Sequence, residues 1–375
     1  MSDNQTLTTA EIKKRNCEKI FNYIYNNKRT SKQTIAQTLS LSLPTVSQNL
    51  KLLEEQGFII RSGFYESTGG RKAQIIHCVE DARIAIGAAV LKERIHLGAI
   101  DLFGNIIKDV TISLPFQNTS SYYREFGRFI CRLADELPYD KEHILGVGIA
   151  IQGLVSPDGE TVVYGIILQN DNSSRQNFQQ YIPFPCRLLH DTEAAAAAEF
   201  WKNDAITDAV YLVLNQNMGG ALITGGQLHH GSGIVEHMTL VPDGKPCYCG
   251  KNGCVEAYCS ANSLRQESGL PLELFFQQLR ANDSRCVSVW TQYLRSLALA
   301  IDNIRMLVDC QFMIGGLLQQ YMIPEDFDLL AQYIYEQSSF PKFPVSFIQS
   351  RYGHKASMIG AALSYIDSFL KHIHA

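Results

Sequence analysis

The N-terminal fifth of the chain combines helical periodicity with polar turns. Hydrophobic side chains recur there at three- and four-residue intervals over three stretches, as on one face of an amphipathic helix. Ser31 precedes the second stretch as a predicted N-cap, Pro44 stands at the start of the third, and Gly57 follows its end. Residues 58–78 hold two β-rich runs around a Gly-rich tip. The pattern predicts a β-hairpin preceded by helices over residues 9–25, 32–40 and 44–56.

This order of elements is that of a winged helix-turn-helix, whose second motif helix approaches base edges in the major groove of DNA. Val46, Leu50 and Leu53 share one face of that helix, which we predict to be buried. The opposite face and the hairpin tip carry hydroxyl, amide and cationic groups, which bind base edges and phosphates. The predicted DNA-binding residues are Ser42, Thr45, Ser47, Gln48, Lys51, Arg71 and Lys72.

From about residue 83 the pattern changes to strands that alternate with helices. Residues 83–114 predict a meander of strands, and residues 120–140 predict a helix. A short strand leads through a polar turn into an Ala-rich helix over residues 186–201, and residues 209–231 predict a strand, a turn and a second strand. Strands recurring with helices indicate an α/β body, and their order suggests two similar lobes.

Composition and charge separate this body from the N-terminal unit. Of the 375 residues, 46% are hydrophobic and 19% charged, as is typical of globular proteins. Residues 1–77 contain 11 Lys and Arg against 6 Asp and Glu, a net charge of +5, which leaves −9 on residues 78–375. We therefore predict a DNA-binding domain over 1–77 and a separate sensor domain over 78–375. A dimerisation or protein-binding role for the first unit remains the alternative.

The sequence contains no apolar run of the ~18–20 residues that a membrane span needs. Its first residues also lack the apolar stretch of a signal peptide. We expect a cytoplasmic protein, with no membrane partner, whose cysteines are reduced.

Residues 237–254 contain one histidine and three cysteines with the spacing H-x9-C-x-C-x4-C. Three thiolates and one imidazole are a ligand set of tetrahedral zinc. Four protein ligands leave no open coordination position, so the sequence predicts a structural zinc ion rather than a catalytic one. The predicted ligands are His237, Cys247, Cys249 and Cys254.

This cysteine motif, together with the strand-to-helix turn at Asp191, resembles the ROK family of bacterial sugar kinases and sugar-responsive repressors. The resemblance covers nearly the whole chain and implies a two-lobed actin-like, hexokinase-like body. The N-terminal unit is similar to the winged helix-turn-helix that ROK repressors carry and ROK kinases lack. The zinc motif matches ligand for ligand, and Asp191 matches the catalytic base of the kinases.

The two phosphate-binding motifs of the family are altered in this chain. The D-x-G-x-T motif has lost its three functional residues, and G-T-G-x-G retains only Gly219. Phosphoryl transfer depends on such positioning and charge stabilisation, so we expect no kinase activity and a vestigial base at Asp191. Gly315 and Gly316 match adenosine-side glycines but are equally well explained as a turn. The altered positions are Ala89, Leu91 and Glu93 in the first motif, and Asn215, Gln216 and Asn217 in the second.

The resemblance also implies a sugar site, which this chain retains only in part. The family motif E-x-G-H corresponds to residues 234–237, with Ile234 in place of Glu and Glu236 in place of Gly. His190 stands where the family has an Asn that binds sugar. A carbohydrate or sugar phosphate is the expected effector, and another small ligand, a protein partner or no ligand at all remain alternatives. The predicted effector-binding residues are His190, Asp191, Glu236, His237 and Glu256.

Together these features predict a transcriptional repressor with an inactive kinase-like sensor. The resemblance implies a homodimer or homotetramer that binds an inverted-repeat operator in double-stranded DNA. An active sugar kinase is the competing hypothesis.

Overall fold

The computed structural model of the chain describes residues 8–66, 72–203, 205–231, 233–340 and 343–373. An N-terminal unit of three helices and a hairpin, here called the head, precedes two lobes that are each built on a five-stranded sheet. No helix in these ranges is long and apolar enough to cross a membrane.

The head has the predicted order of elements. Ser31 and Ser42 cap the second and third helices, and each hydroxyl accepts the backbone N–H three residues further on at 3.2 Å. The third helix begins at Leu43, one residue before Pro44, and Gly57 follows it with a φ of +73°. The elements are α1 (Thr9–Asn27), α2 (Lys32–Thr38), α3 (Leu43–Glu55), β1 (Ile59–Phe64) and β2 (Gln74–Cys78).

The first lobe confirms the predicted meander of strands. Its sheet has the order β5-β4-β3-β6-β9, in which β3, β4 and β5 are antiparallel while β6 runs parallel to β3 and β9. The elements are β3 (Ile84–Val90), β4 (Arg94–Ile100), β5 (Ile106–Ser113), α4 (Ser120–Asp135), β6 (Ile144–Ile151), β7 (Leu154–Val155), β8 (Val162–Tyr164), α5 (Arg175–Gln179), β9 (Cys186–His190) and α6 (Asp191–Phe200).

The second lobe repeats this topology, as the sequence pattern suggested. Its sheet has the order β12-β11-β10-β13-β14, again with three antiparallel strands followed by two parallel ones. The elements are β10 (Ala209–Leu214), β11 (Met218–Thr224), β12 (Gln227–His229), α7 (Glu256–Cys259), α8 (Ala261–Ser268), α9 (Leu272–Arg280), α10 (Ser284–Arg305), β13 (Gln311–Gly315), α11 (Pro324–Gln337) and β14 (Phe347–Gln349).

The last helix, α12 (Ala356–Lys371), returns to the first lobe and packs between its sheet and α6. A Cβ added at Gly360 would stand 1.6 Å from the carbonyl oxygen of Ala194 in α6. On the sheet side, a Cβ added at Gly148 would stand 1.9 Å from the carbonyl oxygen of Ala361. Because these contacts are backbone to backbone, only glycine permits the spacing.

The head packs against the first lobe through aromatic side chains. The ring of Phe369, near the end of α12, lies 5.5 Å from that of Phe58. The Tyr25 hydroxyl in α1 donates to the carbonyl oxygen of Leu102 at 2.5 Å. Lys202, which follows α6, places its Nζ 3.5 Å from the centroid of the Tyr25 ring. Buried side chains of the head and the first lobe consequently form one continuous core.

Candidate effector cleft, metal centre and DNA-binding surface

A cleft opens between the lobes where β9 passes into α6. Four of the five predicted effector-binding residues line it, namely His190, Asp191, Glu236 and His237. The cleft also has apolar walls, to which Tyr164, Ile166, Ile167, Met218 and Ile234 contribute.

Asp191 lies at the first position of α6, with its side chain 16% exposed towards the cleft. The Nε2 of His190 lies 3.4 Å from one Asp191 carboxylate oxygen, and its Nδ1 lies 3.9 Å from a carboxylate oxygen of Glu193. Burial raises the pKa of Asp191, while the neighbouring His190 acts in the opposite direction. Glu193 in turn accepts from the backbone N–H of Gly231 at 2.7 Å and so holds the segment after β12 against α6.

Glu236 faces the same cleft from the second lobe and is 94% buried. Its Oε2 has no hydrogen-bond partner among the described residues. Burial raises the pKa of Glu236 to about 8, and the nearby carboxyls of Glu256 and Asp191 add to that effect. A buried acceptor without a donor costs free energy, which a ligand that supplies the donor recovers.

Glu256 lies behind the cleft wall rather than on it. Its two carboxylate oxygens accept from the side-chain amide of Asn217 at 2.9 Å and from the backbone N–H of Met218 at 2.6 Å. Burial raises the pKa of Glu256 to about 7, against the effect of these hydrogen bonds. The carboxylate therefore braces the turn between β10 and β11, where the sequence resemblance places the second phosphate motif.

That turn is tied to the turn after β13 as well. The side-chain oxygen of Asn215 accepts from the backbone N–H of Leu317 at 2.8 Å, and Gly316 has a φ of +88°. The β10–β11 turn and the turn after β13, which the sequence resemblance predicts to correspond to nucleotide-binding elements, are thus hydrogen-bonded to each other. Three residues stand at the positions of the predicted first phosphate motif. Ala89 is buried inside β3, while Leu91 and Glu93 lie in the β3–β4 connection.

The four predicted metal ligands converge on one point beside the cleft. One donor atom from each of His237, Cys247, Cys249 and Cys254 lies within 4.8 Å of all the others. The Sγ atoms of Cys249 and Cys254 are 3.7 Å apart, and the Sγ of Cys247 lies 3.7 Å from the Nδ1 of His237. Zn–S bonds of about 2.3 Å in a tetrahedron separate the sulfurs by roughly 3.8 Å, close to the Cys249–Cys254 separation, so the donor set is compatible with zinc.

Local backbone geometry closes this loop. Gly250 and Gly253 have φ values of +88° and +77°, in the left-handed region that glycine tolerates. A Cβ at Gly253 would stand 1.7 Å from the carbonyl oxygen of Val241. The His237 ring contacts the Tyr248 ring edge-on at 5.2 Å, and both rings line the cleft. The histidine–cysteine cluster therefore shapes one wall of the cleft.

On the head, α3 presents a polar face opposite its buried side chains Val46, Leu50 and Leu53. The hydroxyls of Ser42 and Thr45 are 2.8 Å apart. The other predicted DNA-binding residues of this helix differ in their contacts within the protein. Ser47 donates to the carbonyl oxygen of Leu43 at 2.8 Å, and the Nζ of Lys51 lies 3.6 Å from a carboxylate oxygen of Glu55. Gln48 is exposed. Lys72 is exposed at the start of the second hairpin arm, whereas Arg71 lies outside the described residues.

Several cleft residues were not among the sequence predictions. Tyr164 and Ile166 reach the cleft from the β7–β8 hairpin and the turn after it, and Met218 reaches it from the start of β11. A polar or charged side chain next to a glycine turn is a signal in sequence, but an apolar residue that lines a ligand site has the same pattern as a core residue.

Two profile matches assign the chain to a family. The ROK family profile matches residues 85–367, and a winged helix-turn-helix DNA-binding profile matches residues 18–60. Because the first match spans most of the chain, this protein belongs to the ROK family, and its head has a DNA-binding fold.

Curated relatives include both repressors and kinases. The xylose repressor of Caldicellulosiruptor bescii is 25% identical over 249 residues, which cover 64% of this chain and 62% of the repressor. The N-acetylmannosamine kinase of Escherichia coli O1:K1 is 28% identical over 202 residues, which cover 50% of this chain and 67% of the kinase. The alignment with the repressor thus spans less than two thirds of that protein.

Solved structures show the same fold. A ROK family transcriptional regulator, described as a homologue of the E. coli MLC protein, superposes with a TM-score of 0.77 at 19% identity and covers 96% of this chain and 98% of its own. A ROK glucokinase from Streptomyces griseus, in complex with glucose and AMPPNP, gives a TM-score of 0.64 at 20% identity and covers 75% of this chain and 98% of its own. At these identities the likeness establishes architecture alone.

Proposed function

We propose that this chain is a DNA-binding transcriptional repressor whose operator affinity responds to a carbohydrate bound between the lobes of its kinase-like body. The observation that carries the proposal is the continuous core that joins the head to the body. The head presents the polar face of α3, and the body contains a cleft lined by carboxyl groups. Similarity to a xylose repressor supports the same class. We assign the DNA-binding head to residues 1–77 and the sensor domain to residues 78–375. A DNA-binding repressor acts in the cytoplasm of a bacterial cell, and we assign the protein to that compartment.

We further propose that the body has no sugar kinase activity. At the β10–β11 turn, the Met218 backbone amide and the Asn217 side chain are bonded to Glu256, and Asn215 is bonded to the turn after β13. Groups engaged in this way are not free to bind phosphate. ATP-dependent phosphorylation of any common hexose or N-acetylhexosamine, measured beside an active ROK kinase, would contradict this assignment.

We assign structural zinc to the cluster of His237, Cys247, Cys249 and Cys254. When bound, the ion supplies only coordination bonds that hold the loop closed, and the four ligands complete its shell. The loop then keeps His237 and Tyr248 in the cleft wall. Metal content of the purified protein, with one zinc per chain expected, tests this assignment.

Helix α6 offers a route from the cleft to the head. It begins at Asp191 in the cleft and ends just before Lys202, which contacts Tyr25 of the head. Near its end, Glu199 accepts from the backbone N–H groups of Arg351 and Tyr352 in the second lobe at 2.8 and 3.0 Å. Closure of the lobes on a ligand would therefore move α6 and the head together. In a homodimer or homotetramer on an inverted repeat, such movement would change the spacing of the heads.

The test selects bound sites from a random duplex pool and measures mobility shifts with and without a panel of sugars. We expect a palindromic consensus and a sugar that lowers affinity for it. Specific binding that no sugar changes would contradict the sensing half of the proposal, and a protein ligand would then become the leading alternative. Absence of specific binding would contradict the DNA-binding half.

A further inference from the structure

The cleft combines carboxyl groups from both lobes with an absence of Lys and Arg among its described lining residues. Asp191 and Glu236 line it from opposite lobes, and the described lining residues include no Lys or Arg. Its two histidines are both engaged: His190 lies between the carboxyls of Asp191 and Glu193, and His237 belongs to the metal centre. Among the described lining residues, an anionic ligand group would find no Lys or Arg to pair with.

Glu236 is the least satisfied of these groups. It is 94% buried, lines the cleft, and has an Oε2 with no hydrogen-bond partner among the described residues. In either protonation state it keeps an acceptor oxygen for a ligand donor.

The absence of Lys and Arg from the described cleft lining and the unpartnered oxygen of Glu236 predict different affinities for sugar phosphates, neutral sugars and amino sugars. A phosphate brings a charge of about −1.5 to −2 towards two carboxyls without a cation to pair it, so sugar phosphates are disfavoured. A hydroxyl supplies one donor to Glu236. An ammonium group supplies three donors and a positive charge, and charge-assisted hydrogen bonds are roughly twice as strong as neutral ones.

We propose that the cleft selects an amino sugar with a free amine and that Glu236 binds its ammonium group. Asp191 then accepts from ring hydroxyls, and the apolar side chains of Met218 and Ile234 contact the ring. This inference rests on the proposed sugar-sensing function and narrows its ligand class to one without phosphate or an acylated amine.

The test is calorimetry on the full-length, metal-loaded protein at pH 7. The probes are glucosamine, galactosamine and mannosamine, each compared with its parent hexose, its N-acetyl derivative and its 6-phosphate. We expect one amino sugar to bind about 10- to 100-fold more tightly than its parent hexose, the range of a hydrogen bond to a charged group. The 6-phosphate should bind more weakly than the free amino sugar.

Two matched variants identify the residue responsible. Glu236→Gln keeps shape and an acceptor oxygen but cannot take up the negative charge that an ammonium ligand would stabilise, and should reduce the preference for the amine to within about threefold. Asp191→Asn should weaken the amino sugar and the parent hexose alike. Thermal unfolding and metal content of both variants should match those of the wild type.

The outcomes distinguish this inference from the proposed function. If a parent hexose or a 6-phosphate binds as tightly as the amino sugar, or if Glu236→Gln retains the preference, amine selection is overturned while sugar sensing stands. If no sugar of the panel binds and none changes operator affinity, sugar sensing is overturned together with the inference.

Discussion

The contact between Tyr25 and Leu102 gives a direct test of how firmly the head is held. Tyr25→Phe removes the hydroxyl that donates to the Leu102 carbonyl but keeps the ring stacked on Phe103, at a centroid separation of 4.7 Å. Tyr25 is only 3% exposed, so the freed carbonyl gains little water in exchange. The loss of such a bond in a buried setting costs about 1–2 kcal/mol. That cost multiplies the population of undocked heads by roughly 5 to 30.

Trypsin cleavage after Arg83 reports this population. The Arg83 guanidinium lies 4.7 Å from the centroid of the Phe58 ring, at the joint between head and body. When docking is faster than cleavage, the cleavage rate follows the open population, so Tyr25→Phe should raise it by the same factor. Tyr23→Phe is the matched control, because the Tyr23 hydroxyl lies 3.3 Å from that of Thr38 within the head. Equal cleavage rates for the two variants would refute the reasoning.

Three further predictions concern the metal, the lobe contact and DNA. Cys247→Ser should lower zinc content and the midpoint of thermal unfolding, whereas Cys131→Ser on α4 should change neither; equal zinc content in both variants would contradict the ligand assignment. Glu199→Gln places an NH₂ group among backbone donors at a fully buried site. We expect this substitution to lower the free energy of unfolding, measured by urea titration, by about 3 kcal/mol or more. A change near zero would contradict that geometry. Lys51→Ala should reduce the slope of log DNA affinity against log salt concentration by about 1. Gln48→Ala should lower discrimination between DNA sequences and leave that slope unchanged. The reverse result would contradict the placement of α3 in the major groove.

The sequence carried most of the information about fold and about local sites. The head followed from its periodicity because Val46, Leu50 and Leu53 repeat at helical spacing and Ser31 and Ser42 act as local caps. The paired lobes followed from strand order. The four predicted metal ligands lie within 18 positions, so their convergence depends on a short loop with two permissive glycines.

The cleft was predictable only in part, because its walls come from distant segments. His190 and Asp191 stand at a recognisable strand-to-helix turn, and the His237 motif marks the other side. Glu256 shows the limit of a motif match: the residue is where the sequence places it, but its carboxyl oxygens are taken up by Asn217 and Met218. Which way a buried carboxyl points depends on donors far away in sequence.

The sequence by itself determined the class of elements and the grouping of one histidine with three cysteines, since each is encoded within a few neighbouring residues. Tertiary structure alone decided that the Oε2 of Glu236 has no hydrogen-bond partner among the described residues and that α6 extends from the cleft to the head. It also decided that Phe369, close to the C-terminal end, packs against Phe58 of the head. These contacts join residues separated by tens to hundreds of positions, and no local pattern specifies which distant surfaces meet when apolar area is buried.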